Sequence, residues 1–225
     1  MRFDIISANT KILECSLFHG MISRAVKKGL IEIYIHNLRD YAEGKYKQID
    51  DIPYGGGSGM ILKPEPVFKC VSKLKEKTCY DEVIYFSPQG EKLTQKTVND
   101  TSLLGNLILI CGHYKGIDER IIAKLVTKEV SIGDYVLSCG DIPAYVFIDS
   151  VTRVIPGALG DGESAITDTF QVETGFDHPQ YTRPEVYKRL RVPKVLLSGN
   201  HREIKIWREK KALSKYKKYL KNNKN

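Results

Sequence analysis

Runs of apolar, largely β-branched residues recur along the first half of the chain, at residues 3–7, 31–38, 82–87 and 106–112. Each has the length and composition of a buried strand. Between them apolar positions return at helical spacing, which predicts helices over residues 10–28, 64–77, 91–104 and 118–125. Strands that are continuously apolar and alternate with helices predict an α/β fold, with a largely parallel sheet covered on both faces. A further helix is predicted over residues 142–155, where Pro156-Gly157 stops it. Residues 160–177 show no apolar period and read as a linker. Beyond it residues 184–190 and 201–220 read as helical, with residues 192–197 between them. On the last helix Ile206, Leu213, Tyr216 and Leu220 share a face, and Lys205, Arg208, Lys211, Lys215 and Lys218 occupy much of the remainder. The expected organisation is an α/β domain over residues 1–160, a linker over 161–177 and a small all-α domain over 178–225.

Composition narrows the class. A chain of 225 residues that is 42% hydrophobic can bury a substantial core without cross-links. Its five cysteines, Cys15, Cys70, Cys79, Cys111 and Cys139, are an odd number with no CxxC pair and no zinc-type Cys/His spacing. Free thiols in a reducing compartment, and no metal site, are therefore expected. The first twenty residues lack a basic stretch feeding an apolar run, and nothing approaches the roughly 20 apolar residues of a membrane span. The expectation is a soluble cytoplasmic protein without membrane contact.

Charge changes the picture more. The net +8 is unevenly divided: residues 1–160 carry +1, residues 161–177 carry −5 with no basic residue, and residues 178–225 carry +12. Such segregation points to a polyanionic partner for the C-terminal segment, a nucleic acid by preference over a merely solvated basic tail.

Four loops carry candidate chemistry. Residues 50–60, Asp50-Asp51-Ile52-Pro53-Tyr54-Gly55-Gly56-Gly57-Ser58-Gly59-Met60, hold four glycines within five positions, so backbone N–H groups can approach a ligand closely. The spacing matches neither a dinucleotide fingerprint nor a phosphate-binding loop. The other three, residues 85–90 (YFSPQG), 111–120 (CGHYKGIDER) and 131–140 (SIGDYVLSCG), sit where strands are expected to end. In open α/β sheets ligands bind beyond the carboxyl ends of strands, so three polar, glycine-bearing loops there imply one composite pocket. His113, taken alone, reads more readily as a hydrogen-bonded structural residue than as a catalyst.

The ordered series DDIPYGGGSGM, YFSPQG, CGHYKGIDER, SIGDYVLSCGDIPA, DSVTRVIPGALG, HPQYTRPEVY and VPKVLLSGNH resembles the motifs of the bacterial tRNA (guanine-37-N1)-methyltransferase family, from near residue 1 to about residue 213. That family is of the SPOUT class. The resemblance implies an α/β domain with a deep trefoil knot, a linker and a small helical domain; periodicity carries no sign of the knot. It implies S-adenosylmethionine held by Tyr85, Phe86, Ser87, Pro88, Gln89, Gly90, Gly112, Tyr114, Ile132, Gly133, Asp134, Tyr135, Val136, Leu137, Gly140 and Pro143. It implies tRNA with guanosine at position 37, met by Asp50, Tyr54, Gly55, Gly57, Arg183, Asn200, His201 and Arg208. Asp168 corresponds to the family's general base, Arg153 to its cationic companion and Asp177 to a second carboxylate, in a linker one residue longer than usual. A homodimer with the active site at the subunit interface is likewise implied. Lys115 stands where the family often carries Glu, which bears on any Mg²⁺ dependence.

The residue types suit this reaction. Guanine N1 carries a proton in neutral water, and a positioned carboxylate can accept it as the methyl group is attacked. Charge that grows on O6 can be met by Arg153 or a backbone N–H. Two other readings remain: a SPOUT methyltransferase acting on ribose or ribosomal RNA, and an RNA-binding module with a vestigial pocket.

Overall fold

The structure, a computed structural model, describes residues 1–159, 169–170 and 176–222. It divides into two compact units, Met1–Gly160 and Asp161–Asn225. Asp168 lies outside the described residues.

The first unit is built on a five-stranded, wholly parallel sheet of β1 (Arg2–Ser7), β2 (Glu32–Asn37), β5 (Glu82–Lys92), β6 (Asn106–Ile110) and β7 (Lys128–Ser131), in the order β2-β1-β6-β5-β7. A short antiparallel pair, β3 (Asp50–Asp51) and β4 (Ile61–Leu62), flanks the glycine-rich loop. Side chains alternate across the sheet, as a pleated strand requires. Phe3, Ile5, Ile84, Phe86, Leu107 and Leu109 pack with buried residues of α1 (Thr10–Leu17), α2 (Gly20–Lys27), α4 (Gln95–Thr101) and α6 (Asp141–Val154). Ile6, Val83, Tyr85, Ile108 and Ile110 pack with residues of α3 (Pro64–Lys75) and α5 (Glu119–Leu125). Burial on both faces explains why the strands read as continuous apolar runs.

Three expectations are corrected here. The single helix over residues 10–28 is two helices, broken at Phe18–Gly20, where Gly20 has φ +63°. The helix expected from residue 91 starts at Gln95, because Glu91 and Lys92 pair with Val130 and Ser131 beyond a bulge in β5. Thr94 then caps α4, its hydroxyl accepting from Thr97 N. β7 (KEVS) was not among the expected strands.

The second unit contains a hairpin, β8 (Val186–Tyr187) with β9 (Leu190–Arg191), followed by α7 (Lys194–Leu197) and α8 (His201–Asn222). The helix expected over residues 184–190 is therefore a hairpin, and the unit is not all-α. Its two turn residues, Lys188 and Arg189, have φ of 48° and 67°, the paired left-handed conformation that suits the twist of a two-residue hairpin. The face expected of the last helix also changes. Ile206, Leu213 and Leu220 are 55%, 43% and 39% exposed. Trp207 meets His178 and Tyr181 instead, while Tyr216 and Tyr219 meet Phe176.

Candidate active site

Loops beyond the carboxyl ends of β5, β6 and β7 enclose a cleft of about 300 Å³ in the first unit. The segment that ends β5 contributes Tyr85, Phe86, Ser87, Pro88 and Gln89; the loop after β6 contributes Gly112 and Tyr114; the segment between β7 and α6 contributes Ile132, Gly133, Tyr135, Val136, Leu137 and Gly140, with Pro143 from α6 itself. Two residues assigned to the cofactor by resemblance do not line it. Gly90 packs on the backbone of Glu129 and Val130, where a Cβ would come within 2.6 Å. Asp134 is turned to solvent in an ion pair with Lys92.

The walls are set by close backbone approach. Gly140 N–H donates to Gly112 O at 2.7 Å, and a Cβ on Gly140 would lie 2.7 Å from Gly112 N and 2.9 Å from Cys111 Cα. No side chain can occupy that space without separating the two loops. Beneath them the Tyr85 hydroxyl is pushed up to about 12, by burial first and by the Glu129 charge second. It stays a protonated hydroxyl at neutral pH. Tyr135 folds back, its hydroxyl donating to Ile132 O at 3.1 Å.

The glycine-rich loop is tied to this cleft through backbone bonds. Lys115 N–H donates to Met60 O at 3.0 Å, Leu62 N–H to Gly116 O at 3.0 Å and Asp118 N–H to Leu62 O at 3.0 Å. Asp50 is buried and lies near the Tyr114 hydroxyl, which burial and then Asp50 raise above the ordinary value. Tyr54 is fully exposed, and Gly55 and Gly57 are in the left-handed region with nothing near their Cα hydrogens. Two expected substrate contacts, Asp50 and the loop that carries Tyr54, Gly55 and Gly57, thus neighbour the cleft.

Of the expected catalytic residues, Asp168 lies outside the described residues, and Arg153 and Asp177 belong to different units. Arg153 lies in the last turn of α6. Its charge partly offsets the burial that raises the neighbouring Asp149 carboxyl. Asp177 belongs to the second unit, where its carboxylate accepts from His178 N–H at 2.6 Å and from the Gln180 amide at 2.9 Å. Burial acts to raise it, but Gln180, His178 and Lys215 together hold it below the ordinary carboxylate value.

In the second unit a separate cleft of about 540 Å³ is lined by Arg183 and Arg208 together with Tyr181, Val192, Leu196 and Ile204. Asn200 caps α8, its side-chain oxygen accepting from Glu203 N–H at 3.3 Å, and His201 opens that helix on the surface.

Lys115, singled out in the sequence, lines the cleft, and so do residues that the sequence reading did not single out, among them Glu119, Glu129, Ser138 and Cys139. Most are neighbours of motif residues within the same loops, and Glu129 could have been found only by recognising β7. Glu119 and Glu129 give the cleft anionic groups that suit a cationic ligand. Apolar walls from Phe86, Val136, Leu137 and Pro143 suit a flat ring. S-adenosylmethionine, a sulfonium attached to adenosine, fits both features.

The family profile described as tRNA (Guanine-1)-methyltransferase TrmD matches residues 1–222. A tRNA (guanine-N(1)-)-methyltransferase of Chlorobaculum tepidum is 53% identical over 212 residues, 94% of this chain and 92% of that protein. Its counterpart in Christiangramia forsetii is 50% identical over 218 residues, 97% and 96% of the two chains. The crystal structure of tRNA (m1G37) methyltransferase from Aquifex aeolicus superposes with a TM-score of 0.80 at 37% identity, covering 100% of this chain and 94% of that one.

Proposed function

The chain belongs to the tRNA (Guanine-1)-methyltransferase TrmD family and is a tRNA guanine-N1 methyltransferase; from that premise we propose that it modifies guanosine 37 with Asp168 as general base. The observation that carries the cofactor half of this reading is the cleft walled by Gly112 and Gly140. Its approach is too close for any side chain, its rim sets Glu119 and Glu129 against a single Lys115, and Phe86, Val136, Leu137 and Pro143 give it apolar wall. S-adenosylmethionine supplies an electrophilic methyl group on sulfur.

The chain's own residues have three tasks. Backbone groups of residues 85–89, 132–133 and 135–140 hold the cofactor and exclude water from it. Asp168 takes the N1 proton as the N1–CH₃ bond forms and the S–CH₃ bond breaks, leaving S-adenosylhomocysteine. Arg153, a fixed cation on α6, meets the negative charge that grows on O6. Asp177 suits this base role less well, because its capped carboxylate is held below the ordinary range and is a weaker proton acceptor. We assign it to ordering the start of the second unit. Residues 178–222, with Arg183, Asn200, His201 and Arg208, supply tRNA phosphate contacts.

Family membership also supports a trefoil knot in the first unit and a homodimer in which the linker of one chain completes the pocket of the other. A cytoplasmic location suits the substrate, and among the described residues no helix is long and apolar enough to cross a membrane.

Asp168→Asn tests the base. The amide keeps the shape but cannot take up the proton, so the single-turnover rate should fall by about 10² or more, about 2.7 kcal/mol of barrier. S-adenosylmethionine affinity should hold. Near wild-type turnover in this variant, with Asp177→Asn inactive, would transfer the role to Asp177. Locating the methyl group on transcripts that differ at positions 36 and 37 tests the site of modification.

A further inference from the structure

In the wall of the cofactor cleft, where His113 and Cys139 are part of the lining and Asp141 is buried behind it, lies a cluster to which the methyl transfer as proposed gives no role. The loop after β6 brings His113, and the turn into α6 brings Cys139 and Asp141, so that one ligand atom from each lies within 4.8 Å of the other two. His113 and Cys139 are paired as an isolated antiparallel bridge. Asp141 is wholly buried: one carboxylate oxygen accepts from Ser7 Oγ at 2.5 Å, and the other has no hydrogen-bond partner. Two thiols, Cys111 and Cys139, adjoin it. Cys111 is pushed well up by burial and then by the Asp141 charge, and Cys139 is raised by burial.

A buried carboxylate with one oxygen unmatched is costly unless positive charge or a donor reaches it. We propose that His113, Cys139 and Asp141 form a site for a thiophilic divalent cation, with Zn²⁺ the ion that its imidazole, thiolate and carboxylate donors suit. The sequence alone carries no sign of it, because the spacing H-x25-C-x-D matches no local zinc motif and the fold makes the juxtaposition. Mg²⁺, which prefers oxygen donors in an octahedron, does not suit the set. Zn–S bonds of about 2.3 Å and Zn–N or Zn–O bonds of about 2.0 Å place tetrahedral ligands about 3.3–3.6 Å apart. Modest side-chain rotation toward the Asp141 oxygen closes the remaining gap. On binding, the Cys139 S–H bond breaks, an S–Zn bond forms and one proton is released to solvent. A water molecule would complete the four-coordinate set. An ion held there fastens together the two loops that carry Gly112 and Gly140.

Co²⁺ serves as the spectroscopic probe on the full-length protein. One equivalent should give a thiolate-to-cobalt charge-transfer band and the intense visible bands of four-coordination. Zn²⁺ should displace it, and Mg²⁺ should not. Cys139→Ser should lose the charge-transfer band, and His113→Ala should weaken binding at least tenfold. Cys15→Ser and Cys79→Ser, which alter the exposed thiols, should keep the band. Zn²⁺ should also raise the thermal midpoint of the wild type and leave that of Cys139→Ser unmoved, since only an ion bound to the folded site stabilises it. Absence of the band at one equivalent, or its persistence in Cys139→Ser, overturns the site.

Discussion

The two units of the chain place their apolar side chains differently. In Met1–Gly160 both faces of the sheet are closed by fully buried residues such as Phe3, Ile5, Ile108 and Phe147. In Asp161–Asn225 no described residue is buried to that degree, and Ile206, Leu213 and Leu220 stand at seven-residue intervals along α8 with much of their surface exposed. Charge follows the same division, near neutral in the first unit and +12 over residues 178–225. A cleft defined by interatomic distances needs a packed frame. Attraction to a polyanion needs only solvated cations at roughly the right density. The first unit should therefore respond sharply to the addition of single atoms, and the second gradually to the loss of whole side chains.

Gly140→Ala is the most severe test of that contrast. One methyl group would sit 2.7 Å from Gly112 N, and because both neighbours are backbone the loops must part. Overpacking of this kind costs about 1–3 kcal/mol, so S-adenosylmethionine should bind about ten- to a hundredfold more weakly by calorimetry. Unchanged affinity would mean that the cleft wall is not rigid.

Asp4→Asn probes the frame below the cleft. Asp4 is fully buried on β1 and accepts from Arg2 Nε at 2.6 Å, His36 at 2.8 Å and Tyr80 at 2.9 Å. Burial raises its carboxyl, but the bonds from His36, Arg2 and Tyr80 outweigh it and hold the value at about 2. A depressed carboxyl contributes stability above its unfolded value, about 3.9, and loses it as pH falls through the folded value. The variant should be less stable by about 2 kcal/mol at neutral pH. In denaturant titrations its deficit should shrink between about pH 4 and pH 2. A gap that does not change with pH would show that hydrogen-bond geometry rather than charge carries the effect.

The same division governs how far the sequence could be read. Strands β1, β5 and β6 were legible because burial leaves a largely apolar run, and β2, a half-exposed edge strand, because it is rich in β-branched residues. Two of the cleft loops followed from where β5 and β6 end, and the third was marked only by its own glycines and polar residues. β7 was missed because KEVS is short and half charged, its burial coming from its position against β5. The hairpin of the second unit was missed because its turn is made by Lys188 and Arg189 rather than by the glycine or asparagine that ordinarily marks such a turn. The packed face of α8 was misjudged because aromatic residues outside the helix, Tyr181 and Phe176, select Trp207, Tyr216 and Tyr219 over the aliphatic positions. The proposed general base, Asp168, was reached only through family resemblance, since an acid in a segment without apolar period carries no local signature.

Replacing Arg208, Lys211 and Lys215 by Ala tests the gradual response expected of the second unit. All three are exposed on α8. With these three cations no longer facing phosphates, tRNA affinity should fall about tenfold at moderate salt, and the slope of log affinity against log salt should flatten by roughly two to three. Cofactor affinity should stay constant. An unaltered salt slope would reduce this face to a solvated surface.

The smallest effect expected is at Lys115, where the two behaviours meet: the residue lines the packed cleft, yet its ammonium is a rim charge. Its backbone N–H is fixed to Met60 O at 3.0 Å and its side chain lies against Gly59, with Glu119 and Glu129 in the same lining. Lys115→Glu keeps the backbone and makes the rim wholly acidic. Solvent-accessible charge pairs of this kind are worth about 0.2–1 kcal/mol, so binding of the cationic cofactor should tighten by no more than about fivefold. A carboxylate can ligate Mg²⁺ whereas an ammonium cannot, so the rate of the variant should rise with Mg²⁺ more steeply than that of the wild type. Titrating Mg²⁺ against single-turnover rate in both proteins decides the point. Superimposable curves would remove this side chain from any part in metal dependence and leave only its electrostatic effect on the cofactor.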